Sequence, residues 1–244
     1  MKITYTAQNE EHRPVEIEAN LDFGERADDT VWMLWAFAPL QASGETAEYS
    51  ERERLEKIVI ELETSLERSN GAVYAGMRTL DGWAEFYFYA VFSKGAEKYF
   101  RQIFHSHGYP QIEFGVNRDT EQRFFHEQLS PNVYQLQQAN SRQIIEELEA
   151  AGDALESVRP VEHYLFFQTR SAMERTAESL WSQGRVDTDR EGEEPFPYAL
   201  VLELDHACTL NAVEAVVAPL IDAASRAHGR YVGWSTALAD EAKE

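Results

Sequence analysis

The chain has 244 residues, enough for one large or two small domains, and its mixture of 43% apolar and 27% charged residues is that of an ordinary globular protein. Its formal net charge is −21, shared by both halves, which disfavours direct binding to a phosphate backbone and favours basic partners. The single cysteine, Cys208, excludes an internal disulfide framework or a cysteine-based metal site.

In chain order, Lys2-Ile3-Thr4-Tyr5 and Val15-Glu16-Ile17-Glu18 alternate in polarity and predict two short strands. The start lacks the apolar core of a signal peptide, and no apolar run approaches the roughly 18 residues that cross a bilayer. A cytoplasmic protein is expected. Val31 to Phe37 is apolar on both faces, as in a strand inside a sheet, and Pro39 ends it. Ser50, with Glu53 three residues on, has capping-box spacing. The helix that follows, to about Ser69, carries the stripe Leu55, Ile58, Val59, Leu62 and Leu66. Strands Val73–Leu80 and Trp83–Phe92 flank Asp81-Gly82, a hairpin signal because both positions tolerate positive φ. A helix from Lys94 to His107 and a strand from Gln111 to Val116 complete a β-α-β-β-α-β order.

Asn117 to Leu129 reads as a polar helix anchored by Phe124, Phe125 and Leu129. Val133 to Ala151 reads as another, with Leu136, Ile144, Ile145 and Leu148 as its clearest apolar positions. A second β-α-β-β-α-β order follows. It comprises strand Val161–Gln168, helix Ser171–Ser182 capped by Ser171, strand Arg185–Asp189, strand Tyr198–Leu204, helix Thr209–Ala227 and strand Arg230–Ser235. Pro219 is expected to kink or split the last helix. Ala239 to Glu244 reads as a frayed polar tail.

The expected fold class is therefore α+β: two ferredoxin-like α/β-sandwich units with antiparallel sheets, joined by a helical segment. The expected domains are 1–131, with a ferredoxin-like core at 31–116, and 132–244. In such a unit helices cover one sheet face. Val161, His163, Leu165 and Phe167 should face the helices, and Glu162, Tyr164, Phe166 and Gln168 the open side. In the first unit both faces are apolar or aromatic, so its second face must be covered or serve as a docking surface.

Chemistry is sparse. His105 and His107 lack a third ligand nearby, and Glu203, Asp205 and His206 cluster without a nucleophile. Cys208 precedes a helix, where a thiol pKa can fall, although a small residue at a helix start is the simpler reading. No phosphate loop, nucleophile elbow or dinucleotide fingerprint occurs. The aromatic sheet invites comparison with RNA-recognition motifs, but the basic-aromatic signature of that family is missing. No catalytic residue, cofactor or metal is expected. The acidic loop is more distinctive: Asp187, Asp189, Glu191, Glu193 and Glu194 are interrupted by one opposite charge, Arg190. Such a loop suits an Arg/Lys-rich partner segment.

Three stretches of the C-terminal half carry a resemblance. They are Ile144-Ile145-Glu146-Glu147-Leu148 with Gly152-Asp153, then Arg159 to Phe167, and finally Tyr231-Val232-Gly233-Trp234. Over about 136–236 the chain resembles the RraB family of regulators of ribonuclease E activity. Residues 1–131 resemble an uncharacterised family sometimes fused upstream of such regulators, through Gly71 to Gly76, Glu85 to Ala90 and Phe124 to Pro131. The resemblance implies a non-enzymatic, ferredoxin-like protein without a cofactor, which binds ribonuclease E or a degradosome-type component and lowers its activity. The residues alone leave two other readings open. One is an acidic interaction module of the same fold with another partner. The other is a small-molecule site in the N-terminal region, lined by Trp32, Trp35 and Tyr87.

Overall fold

The structure, a computed structural model, describes residues 1–9, 11–41 and 45–239, the side chains of 45–49 excepted. The chain forms two compact units, Met1–Pro131 and Asn132–Glu244.

Unit 1 runs β1 (Lys2–Gln8), β2 (Pro14–Asn20), α1 (Phe23–Arg26), β3 (Trp32–Pro39), α2 (Glu45–Asn70), β4 (Ala72–Leu80), β5 (Trp83–Ala90), α3 (Ala96–Ser106) and β6 (Glu113–Arg118). A π-helical turn, Phe125–Leu129, closes it. The sheet order is β1-β2-β4-β5-β3-β6, with every neighbour antiparallel. The four strands β4-β5-β3-β6 have the ferredoxin-like order, and the β1–β2 hairpin extends it beyond β4. At the β4–β5 turn Asp81 and Gly82 both take positive φ (51° and 79°), as the Asp-Gly signal requires.

Both faces of β5 are buried, which explains its apolar run from Phe86 to Ala90. Phe86 and Phe88 join Leu34, Leu55, Ile58, Leu62, Phe100 and Phe104 in the core under α2 and α3. On the other face Tyr87 meets Phe124 at 4.4 Å, Tyr89 meets Phe23 at 5.1 Å, and Phe23 meets Phe125 at 4.2 Å. That face is therefore covered from within unit 1. Tyr87 is buried under this cover.

The cover corrects one expected element. Asn117 and Arg118 belong to β6, paired with Met33 and Trp32, and helical backbone begins only at Arg123. Asp119 is the reason. Its carboxylate accepts the N–H groups of Arg123 and Phe124 (each 3.0 Å) and the Tyr89 hydroxyl (2.6 Å). A side chain that caps a turn competes with a helix running through it. Ser50 likewise is no N-cap, because α2 already begins at Glu45.

Unit 2 runs α4 (Val133–Ala150), β7 (Arg159–Phe167), α5 (Arg170–Leu180), β8 (Arg185–Asp187), β9 (Glu191–Glu193), β10 (Phe196–His206), α6 (Leu210–Arg226) and β11 (Arg230–Thr236). The antiparallel order is β11-β7-β10-β8, with β9 also paired to β10. Val161, Leu165, Phe167, Leu200 and Leu202 form the sheet side of the core, and Met173, Leu180, Val213, Val217 and Ile221 the helix side. The cap of α5 is Thr169, two residues before the expected Ser171, and it accepts the Ala172 N–H at 3.3 Å. Pro219 lies inside α6 without dividing it.

Asn132 and Gln135 form a reciprocal capping box at the start of α4. The buried stripe of α4 is Gln137, Ser141, Ile145 and Leu148, whereas Leu136 and Ile144 are only half-buried. Polar residues occupy core positions because they have partners there. Ser141 accepts the Trp234 indole N–H at 3.0 Å, and Gln137 donates to the Tyr231 carbonyl at 3.4 Å. The expected tail, 239–244, lies outside the described residues apart from Ala239.

Candidate interaction surface

The alternation along β7 places Val161, His163, Leu165 and Phe167 inside, and Glu162, Tyr164, Phe166 and Gln168 on the open side. The first three of the outward set are half-buried because the β8–β9 segment lies beside them. Gly192 permits that approach. A Cβ there would stand 2.2 Å from the Phe196 carbonyl oxygen and 3.4 Å from the Phe166 ring.

This segment carries the five acidic residues singled out in the sequence, and the structure divides them. Asp187 is engaged within its own loop: it accepts the Asp189 N–H at 2.9 Å and the Arg190 Nε at 3.2 Å. Those two donors, the backbone N–H first, hold its carboxyl below the usual range. Arg190 also lies 3.9 Å from Glu162. Glu193 faces Arg230 at 3.8 Å, and the Arg230 guanidinium lies over the rings of Phe196 (4.9 Å) and Phe166 (5.8 Å). Asp189, Glu191 and Glu194 are exposed, and no cation pairs with them among the described residues. Tyr164 completes the patch. Its hydroxyl donates to Glu162 at 2.6 Å and lies 2.9 Å from Ser235, and burial followed by the Glu162 carboxylate raises its pKa. The surface is thus a cation–aromatic stack edged by outward carboxylates.

Several of the residues that carry the resemblance turn inward. Arg159 donates to Asp153 at 2.7 Å, and the Asp153 carboxylate is wholly buried. The same carboxylate accepts the Ala239 N–H at 2.8 Å. His163 lies between Tyr231 and His206, with Nδ1 2.8 Å from the Tyr231 hydroxyl and Nε2 2.9 Å from the His206 Nε2. The His206 Nδ1 lies 2.7 Å from the Ala207 carbonyl oxygen, which can only accept. With both imidazoles neutral the protons run in one direction: Tyr231 donates to His163, His163 to His206, and His206 to the backbone. Burial, then the neighbouring His206, pushes the His163 pKa down to about 3. Sequence reasoning placed His163 in the core but missed this chain, because its members lie on three different strands or strand ends.

The remaining candidates carry no chemistry. Cys208 is buried, and burial raises its thiol pKa, opposite to what activation at a helix start requires. His107 pairs with Glu61 at 2.9 Å. Among the described residues no group of three or more His, Cys, Asp or Glu side chains is arranged to hold a metal ion. No helix among them is long and apolar enough to cross a membrane.

No curated protein matches the chain. One similar solved structure is described as the crystal structure of an unknown protein from Galdieria sulphuraria. It is 14% identical, the match covers 83% of this chain and 99% of that one, and at a TM-score of 0.20 the likeness carries no argument. Residues 138–236 match the family described as Regulator of ribonuclease activity B. Residues 4–130, just over half of the chain, match the Family of unknown function (DUF695), so the chain belongs to that family through its first unit, while its second unit is similar to the family of ribonuclease-activity regulators.

Proposed function

We propose that the chain is a non-enzymatic cytoplasmic regulator that binds a ribonuclease of the ribonuclease E kind, or a component of its assembly, and lowers its activity. In this reading residues 1–131 and 132–244 are separate domains and the second makes the contact. The observation that carries it is the match of residues 138–236 to a family of ribonuclease regulators. Charge supports it. Nucleases hold RNA through Lys and Arg, and a protein of net charge −21 that presents Asp189, Glu191 and Glu194 outward competes for those groups.

The test uses the full chain and the ribonuclease of the same organism. The chain should bind the nuclease at low salt, slow its cleavage of a structured transcript, and lose affinity as salt is raised. Reversing Asp189, Glu191 and Glu194 to Lys should weaken binding about tenfold or more while leaving the melting temperature within a few degrees. Absence of binding at low salt removes the ribonuclease reading. Unchanged affinity of the reversed variant removes the loop from it.

A further inference from the structure

Unit 2 holds a second surface feature, on the side of α4 and α6 rather than on the open sheet face. The two helices pack together, but their facing residues are mismatched. α6 presents Val217, Ala218 and Ile221, whereas α4 presents Tyr134, Gln138 and Ser141. Ser141 is committed to the Trp234 indole and is too short to fill the space beside Val217. A cleft of about 200 Å³ remains, its walls mostly apolar. A dry apolar cavity of about 150 Å³ holds a benzene-sized group, so one leucine- or phenylalanine-sized side chain fits here.

The mouth of the cleft has a charge pattern. Glu214, Ala218 and Asp222 follow one another at i, i+4 and i+8 on α6, and so share one face. The small residue is flanked by a carboxylate about 6 Å away on either side along the helix axis. Each carboxylate is hydrogen-bonded to an uncharged donor from α4: the Gln138 amide to Glu214 at 2.5 Å, and the Tyr134 hydroxyl to Asp222 at 2.5 Å. Among the described residues neither carboxylate pairs with a cation, although Arg226 follows one turn beyond Asp222. A carboxylate offers about four acceptor sites, so both retain capacity for a charged donor.

We propose that this cleft docks a basic helical segment of a protein partner, with one apolar side chain entering beside Ala218 and a cation on each side meeting Glu214 and Asp222. The complementary pattern is Arg or Lys four residues before and four residues after a Leu, Met or Phe. The inference stands apart from the ribonuclease reading, because it rests on the cleft and its two carboxylates alone.

The probe is a synthetic alanine-based helix with arginines four residues before and after one leucine. Its control is a peptide of the same composition in scrambled order, so that overall charge attraction is equal. Binding to the full chain is read by fluorescence anisotropy. Burial of one apolar anchor predicts at least about tenfold tighter binding of the patterned peptide. Ala218→Phe, which plugs the mouth, should abolish that preference, and the pair Glu214→Gln with Asp222→Asn should lower it severalfold. Should Ala218→Phe fail to fold, the double variant decides, since it is isosteric and changes one residue lining the cleft and one hydrogen-bonded to Tyr134, which lines it. Equal binding of patterned and scrambled peptides, or equal binding by the variants, overturns the proposal. Two other results also overturn it. One is indole binding in the cleft without peptide preference, which makes it a small-molecule site. The other is self-association lost in Ala218→Phe, which assigns the cleft to a second copy of the chain.

Discussion

At the scale of single residues, two buried groups bear on the stability of unit 2. His163 titrates near 6.5 when unfolded and near 3 in the fold. Between those values the unfolded chain binds the additional proton. Stability from this group therefore falls as pH drops below about 6.5, by at most roughly 1.4 kcal/mol per pH unit, and the loss is complete near pH 3. Urea unfolding of His163→Gln between pH 6 and 4 should show a shallower pH slope than the wild type. An unchanged slope would show that the histidine chain is not the sensor. Arg159 is the second group. Arg159→Met leaves the buried Asp153 carboxylate without its cation, and breaking such a pair costs about 3–5 kcal/mol. A loss well under 1 kcal/mol would mean that the Ala239 N–H alone satisfies Asp153.

Elements differ in how openly the sequence announces them. The β7 faces follow from period two and the doubly buried β5 from a run that is apolar on both faces, because both patterns are local properties of a strand. The stripe of α4 does not follow from period 3.6, since Gln137 and Ser141 are core residues only through Tyr231 and Trp234 almost a hundred positions away. The start of α5 shows how close the competing caps are. Thr169 takes the role through one bond to Ala172, and Thr169→Ala should cost about 0.5–2 kcal/mol in thermal unfolding. Glycines supply a second test at this scale. A Cβ on Gly184 would stand 2.2 Å from the Glu203 carbonyl oxygen and 2.6 Å from Leu204, so Gly184→Ala must shift β10 and should destabilise by about 1–3 kcal/mol. Gly24, with nothing within 4 Å of its Cβ position, should tolerate the same change within about 1 kcal/mol. Equal losses at both sites would refute the steric argument.

For the whole molecule, charge decides behaviour that no single pair explains. A net charge of −21 repels polyanions at long range and steers basic partners, and the effect weakens with salt. Binding of a basic partner should therefore slow mainly in its association rate as salt rises, a trend that stopped-flow mixing measures. A salt-independent association rate would assign recognition to apolar contact instead. Within the acidic loop, Asp187 and Glu193 are the poorer sites for substitution, because each already serves Arg190 or Arg230.

The sequence by itself determined the β-α-β-β-α-β order of the first unit and, apart from the short strand β9 inside the expected acidic loop, that of the second, together with the inward and outward faces of β7, the turn at Asp81-Gly82 and the acidic character of the hairpin. Each follows from neighbours within a few residues: alternation, capping chemistry, tolerance of positive φ, and counted charge. Among the five loop acids, the tertiary structure alone decided that Glu193 has a cation beside it, because Arg230 reaches it only once β9 and β11 are placed, whereas Asp187 meets Arg190 within its own loop. It decided in the same way that the aromatic second face of unit 1 is covered by Phe23, Phe124 and Phe125, which come from both ends of that unit. It also decided that a short serine on α4 opposite valine and isoleucine on α6 leaves a cleft. Such outcomes depend on which distant side chains share a space, and local pattern carries no information about that.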